Sequence, residues 1–210
     1  ADSLDGGTGT NTLSYDIAGA GTVNVNLATG TVSGSGQANG DTIVLGTFQN
    51  LIGAGSNDSL TGDSGANVIS GLAGNDTIEG GAGADSLDGG AGTDTLSYAA
   101  STAAVSVNLA TGAASGGDAA GDTISNFENL TGSGFADTLT GDGNANVIFG
   151  LADNDTIDGG DGDDRRELAV HVLGAMGEER HGHVDEDDDE GGRARPPHRR
   201  RTGPSRRRRR

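Results

Sequence analysis

The sequence predicts an all-β solenoid of short parallel strands, and three observations predict it. Residues 71–97 write one nine-residue unit three times: GLAGNDTIE, GGAGADSLD, GGAGTDTLS. Each unit holds a single aliphatic at its eighth place, which suits a thin core shared between stacked neighbours and not a thick one. Aromatics make up 3% of the chain while 40 residues are glycine, so a conventional core is not expected. A fixed period of this kind sets the architecture before any one residue is interpreted.

Each unit divides into a turn and a strand. In GGAGAD the glycines permit positive φ, so the backbone can curl tightly and aim carbonyls inward. In the trailing three residues side chains alternate faces. The Ile or Leu points in, and Thr77, Thr95, Thr138 and Thr156 lie on the outward face, where Thr suits a short strand. Two units make one coil with a strand on each side, and strands of successive coils stack at about 4.8 Å. A sixth-place residue therefore faces that of the second unit along, not the next.

The frame extends in both directions. Gly53–Thr61 (GAGSNDSLT) and Gly62–Ser70 (GDSGANVIS) keep the phase, giving an array at 53–97. Another runs over 132–164 (GSGFADTLT, GDGNANVIF, GLADNDTID, GGDGDD), and the chain opens inside a third at 1–14. A longer repeat overlies the short one: ADSLDGGTGTNTLSY at Ala1 returns as ADSLDGGAGTDTLSY at Ala84, and VNLATG at Val25 returns at Val107. The repeat is met mid-unit at Ala1, as in a piece of a longer chain.

Linking segments 15–52 and 98–131 carry no glycine array. Thr22–Leu27 (TVNVNL) and Ala104–Leu109 (AVSVNL) alternate as half-buried strands do, and each leads into an Ala-Thr-Gly turn. Phe48 and Phe127 are expected to cover the interior where the nonapeptide frame lapses, with Tyr15 and Tyr98 as packing residues.

Charge is divided sharply. All 13 arginines lie at or beyond Arg165, there is no lysine, and 22 of the 31 acidic residues precede that point. The body, residues 1–164, is thus −22 and repels itself unless cations are supplied. Nucleic acid and anionic membrane are poor partners for it. Cysteine is absent, which removes disulfides and thiolate metal sites. No apolar run approaches the roughly 18 residues of a membrane span.

At Arg165 and Arg166 the frame breaks. Residues 165–210 hold all four histidines, every proline and the RRRRR end. This Arg-rich tail reads as disordered low-complexity sequence or as a reading frame that slipped at Asp163–Asp164; a basic arm for nucleic acid or a membrane surface is the third reading. His181 and His183, near Glu178 and Glu179, read as exposed polar residues, with a stray transition-metal site as the alternative.

The repeated G-G-x-G-x-D-x-U-x pattern resembles the RTX family, the haemolysin-type calcium-binding repeats. The resemblance covers nearly all of residues 1–164 and implies a right-handed parallel β-roll. It also implies Ca2+ held between stacked turns by aspartate carboxylates and glycine-loop carbonyls. Calcium takes six to eight hard oxygen ligands, and two stacked turns supply both kinds. Carried onto this chain, the carboxylate pairs are Asp58 with Asp76, Asp76 with Asp94, and Asp137 with Asp155. Asn67 with Asp85 and Asn146 with Asp164 are weaker pairs, because asparagine lacks the charge. The glycine-loop positions implied as ligands are Gly53, Gly55, Gly71, Gly80, Gly89, Gly132, Gly150 and Gly159. Asp88, at the ninth place, is expected to face solvent.

The resemblance further implies an extracellular setting reached by one-step bacterial export, with folding coupled to calcium. The Arg-rich end departs from the family's uncleaved export signal. A dinucleotide fingerprint fails because its third glycine is replaced by Asp or Asn, and a P-loop fails for want of lysine. The body has no histidine and no HExxH or GxSxG motif, so no enzyme is expected in it. The alternatives are the repeat region of a larger secreted enzyme or toxin, or of an adhesin or surface-layer scaffold. Calcium ions are the expected partners; no partner protein is indicated.

Overall fold

The computed structural model describes residues 1–17 and 21–168. Its strands, in chain order, are β1 Ser3–Leu4, β2 Thr12–Ser14, β3 Val23–Asn26, β4 Thr31–Gly34, β5 Thr42–Ile43, β6 Asn50–Ile52, β7 Ser59–Thr61 and β8 Val68–Ser70. Then come β9 Thr77–Glu79, β10 Ser86–Asp88, β11 Thr95–Ser97, β12 Ser106–Asn108, β13 Ala113–Ser115, β14 Thr123–Ser125 and β15 Asn129–Thr131. The last are β16 Thr138–Thr140, β17 Val147–Leu151, β18 Thr156–Asp158 and β19 Arg165–Leu168. Among the described residues the only helical turns are short 3-10 segments at Gly36–Ala38 and Gly117–Ala119.

Successive units alternate between two sheets, of ten and nine strands. Over residues 50–97, β7, β9 and β11 pair in parallel within one sheet, and β6, β8 and β10 within the other. The register aligns eighth places: Leu60 opposite Ile78, Ile78 opposite Leu96, Leu51 opposite Ile69 and Ile69 opposite Leu87. These side chains are fully buried between the sheets, as are Leu130, Leu139 and Ile148 further along. The result is the β-roll anticipated from the period: one aliphatic column per sheet, each member stacked on the same residue of the next coil.

The linking segments add something the period does not contain. β3 and β4, and again β12 and β13, pair antiparallel as hairpins inside otherwise parallel sheets. β3 still pairs in parallel with β7, and β12 with β16. The loops from β3 to β4 and from β12 to β13 are too short for a passage round the coil, so each chain returns along the sheet it came from. Val23, Val25, Val32, Val105 and Val107 add apolar bulk here, and Phe48 and Phe127 close the interior beside them.

The roll also continues past the frame break. β19 pairs in parallel with β17, Val147 opposite Arg165, and the Arg165 N–H donates to the Asn146 carbonyl at 2.8 Å. Strand pairing thus runs through Arg165–Leu168, beyond Asp164 where the composition changes: backbone pairing to the strand below needs no apolar eighth place. The rest of the Arg-rich tail, with His181 and His183, lies outside the described residues.

Candidate metal centre

Each turn delivers its sixth-place side chain to the space between coils, and first-place glycine is the reason it can. A Cβ at Gly53 would lie 2.5 Å from Oδ2 of Asp58. The same clash with the turn's own sixth-place carboxylate arises at Gly71, Gly80, Gly89, Gly132, Gly150 and Gly159. Gly55, by contrast, faces open space and has no positive φ.

The sixth-place carboxylates form ladders. The N–H of Asp58 donates to Oδ1 of Asp76, and the N–H of Asp76 to Oδ1 of Asp94, each at 2.8 Å and 18 residues apart. The same bond joins Asn67 to Asp85, Asp137 to Asp155 and Asn146 to Asp164. All five stacked pairs expected from the period are thus adjacent. One oxygen of each upper carboxylate is committed to the coil below, and the other decides what the site can do.

That second oxygen divides the turns into two classes. In the turns from Gly71, Gly80, Gly89 and Gly150, second and fourth places both have positive φ: Leu72 and Gly74, Gly81 and Gly83, Gly90 and Gly92, Leu151 and Asp153. The second-place N–H is then turned away from the carboxylate. Oδ2 of Asp76, Asp85, Asp94 and Asp155 is buried with no hydrogen-bond partner. The turn from Gly159 to Asp164 shares this backbone, with positive φ at Gly160 and Gly162.

In the turns from Gly53, Gly62, Gly132 and Gly141 neither place has positive φ. There the second-place N–H closes the turn on its own sixth-place oxygen. Ala54 donates to Asp58 at 2.5 Å, Asp63 to Asn67 at 2.8 Å, Ser133 to Asp137 at 2.5 Å and Asp142 to Asn146 at 2.8 Å. Asn67 and Asn146 also use their Nδ2 groups, donating to the carbonyls of Gln49 and Glu128. Both polar ends of each asparagine are therefore occupied by protein partners.

Four buried carboxylate oxygens without donors are costly, since a buried polar atom left unpaired forfeits its hydration. The protonation equilibria record that cost. Burial, reinforced by neighbouring carboxylates, pushes Asp76 and Asp85 up to about 6. Burial also raises Asp58, Asp94 and Asp155 above the ordinary aspartate range. Among the described residues no three acidic or histidine side chains converge on one point. A cation here must draw on carbonyls as well as carboxylates, and the turns supply them: the Gly89 carbonyl packs against Gly71, that of Leu72 against Gly90 and that of Gly74 against Gly92. Unpaired carboxylate oxygens in turns that also stack their glycine-loop carbonyls fit a hard divalent cation such as calcium.

Several sixth-place residues lie outside the glycine arrays. Asp41, Gln49, Asp122 and Glu128 precede β5, β6, β14 and β15 and continue the ladders, accepting the N–H of Asp2, Asn11, Asp85 and Asp94. The signal was present as D-T-I, Q-N-L, D-T-I and E-N-L, the sixth to eighth places without the glycine turn before them. The second oxygen of Asp122 accepts the Tyr98 hydroxyl at 2.8 Å, and that of Asp41 accepts Tyr15 at 3.2 Å. The tyrosines pack in the core as expected, but their hydroxyls also occupy buried carboxylates. Asp88 does not simply face solvent; it accepts Asn126 Nδ2 at 2.7 Å and Ser125 Oγ at 3.3 Å.

Four stretches, residues 35–68, 46–77, 61–96 and 131–165, match the RTX calcium-binding nonapeptide repeat. They cover most of the arrays at 53–97 and 132–164, where all the unpaired carboxylates lie, and the first reaches back into the linking segment at residue 35. No curated protein matches the chain.

Proposed function

We propose, for a chain that belongs to the RTX calcium-binding repeat family through residues 35–96 and 131–165, that calcium is held at the turns ending in Asp76, Asp85, Asp94, Asp155 and Asp164. The observation that carries this reading is the unpaired Oδ2 of the first four, set against the self-closed turns at Asp58, Asn67, Asp137 and Asn146. Oδ2 of each carboxylate and the carbonyls of the stacked glycine turns would be the ligands. Bound calcium supplies the positive charge that a body without lysine lacks. The residues themselves bind and orient: Oδ1 anchors each carboxylate to the coil below, first-place glycine leaves room for Oδ2, and positive φ at the second place turns a competing N–H away.

Ion binding is in this reading part of folding. The ligands come from turns 18 residues apart that meet only in the coiled chain, so binding energy is available only to the folded array. An extracellular, calcium-replete setting suits such a module, and no catalysis is assigned to it. Isothermal titration of the full chain with calcium, paired with far-UV circular dichroism, tests the proposal. Uptake of several ions is expected, with a midpoint of roughly 10⁻⁴–10⁻³ M and a coincident gain of β signal. No uptake at millimolar calcium would overturn it.

A further inference from the structure

The self-closed and open turns are not scattered along the chain. Following each linking segment, the first coil is self-closed on both edges: turns 53–58 and 62–67 after the first segment, turns 132–137 and 141–146 after the second. In the arrays at 53–97 and 132–164, open turns come only after that coil, at 71–94 and from 150 on; the turn at 6–11, ahead of the first linking segment, also has positive φ at its second and fourth places, Gly7 and Gly9.

Donors within the protein satisfy the sixth-place groups throughout the linker and its first coil. Asp41 receives Tyr15 and Asp2; Asp58 receives Val23 and Ala54; Asp122 receives Tyr98 and Asp85. Asp137 receives the Val105 N–H, and both the N–H and the hydroxyl of Ser133. Among the described side chains of residues 22–70 and 105–149, no buried oxygen lacks a partner.

Apolar burial follows the same division. Residues 22–70 bury Val23, Val25, Leu27, Phe48, Leu51 and Leu60, among others, and residues 105–149 bury Val105, Val107, Phe127, Leu130, Leu139 and Ile148. Residues 71–97 bury only Ile78, Leu87 and Leu96 as large apolar side chains, and in 150–164 Ile157 is only partly buried. The stretches with unpaired carboxylates are those with the least hydrophobic support.

We infer that calcium dependence is segmental: residues 22–70 and 105–149 fold without calcium, while residues 71–97 and 150–164 need it, so that calcium removal opens the second pair and leaves the first standing. This rests on the calcium reading above and adds to it a fixed pattern of rigid and calcium-gated stretches along one solenoid.

Hydrogen exchange of the full chain, with calcium and with excess chelator, tests it. In chelator the amides of β9, β10 and β11 and of β18 should exchange at least an order of magnitude faster than in calcium, while those of β3, β7, β12 and β16 change little. The triple variant Asp76→Asn, Asp85→Asn, Asp94→Asn, studied in calcium, should reproduce the opening of 71–97 alone. Asp58→Asn and Asp137→Asn should leave the number of bound ions unchanged. Loss of protection over all the strands together in chelator would overturn segmentation while leaving calcium binding intact. Retention of protection at β9–β11 in chelator would overturn it equally. No calcium uptake by titration would instead remove the reading beneath it.

Discussion

Asp76 and Asp94 lie 18 residues apart and meet through one bond, the N–H of Asp76 donating to Oδ1 of Asp94 at 2.8 Å. That bond holds the Asp94 carboxylate flat against the coil below and leaves its Oδ2 buried and unpaired. The stack does not stop at Asp94, because the Asp94 N–H passes on to Glu128 at 2.7 Å.

Aspartates of the two classes should respond differently to truncation. Asp76→Ala, Asp85→Ala and Asp155→Ala are each expected to lower the calcium count per chain, and Asp88→Ala to leave it unchanged. Asp58→Ala should keep the count but lose stability. It strands the buried N–H groups of Val23 and Ala54, at about 1–3 kcal/mol for each donor left unpaired. Native mass spectrometry gives the count and denaturant unfolding in calcium gives the stability. Equal ion loss at Asp58 and Asp76 would contradict the division.

Glycine substitutions should separate turn geometry from composition. Gly92→Ala places a methyl against the Gly74 carbonyl at φ +154, and Gly81→Ala does so against the Asp63 carbonyl at φ +87. Each should destabilise by more than about 1 kcal/mol. Gly55→Ala, in open space without positive φ, should be neutral or stabilising by about 0.4–1 kcal/mol. Thermal unfolding in saturating calcium orders the three.

Acid should partly replace calcium. Asp76 and Asp85 are raised to about 6 from 3.8, so the folded state binds more protons than the unfolded one between those values. Stability from these groups is therefore full below the unfolded pKa and lost as pH rises through the folded one. In chelator, lowering the pH from about 7 to about 5 should raise the β signal of circular dichroism. With calcium present the same protons compete with the ion, and affinity measured by titration should fall over that window. A chelated chain that loses β signal on this acidification would refute the sign.

Removing a tyrosine hydroxyl should expose the cost of its carboxylate. Tyr98→Phe leaves Oδ2 of Asp122 buried without its donor, an expected loss of about 1–3 kcal/mol. Tyr15→Phe should cost less, since its bond to Asp41 is longer, 3.2 Å against 2.8 Å. Denaturant unfolding of both variants in calcium makes the comparison.

The period alone determined a solenoid of two strands per coil, the buried aliphatic places Leu60, Ile69, Ile78, Leu87 and Leu96, and the pairing of each sixth place with the one 18 residues on. These follow from a local rule, two units per coil, applied at every step. In the two linking segments only Thr22–Leu27 and Ala104–Leu109 were legible as strands; the antiparallel return after each was not, because a short strand does not encode which neighbour it pairs with. Asp41 and Asp122 carry the sixth-place signal only as a bare D-T-I, and it is the folded chain that sets them on Asp2 and Asp85, across sequence gaps that carry no glycine frame. The division of the aspartates belongs to tertiary structure most of all. Asp58 and Asp76 share one motif position, yet the first is closed by Ala54 and the second is left open beside Leu72 at φ +75. What separates them is the direction of one N–H, set by the backbone conformation that each turn adopts when it packs on its neighbouring coils.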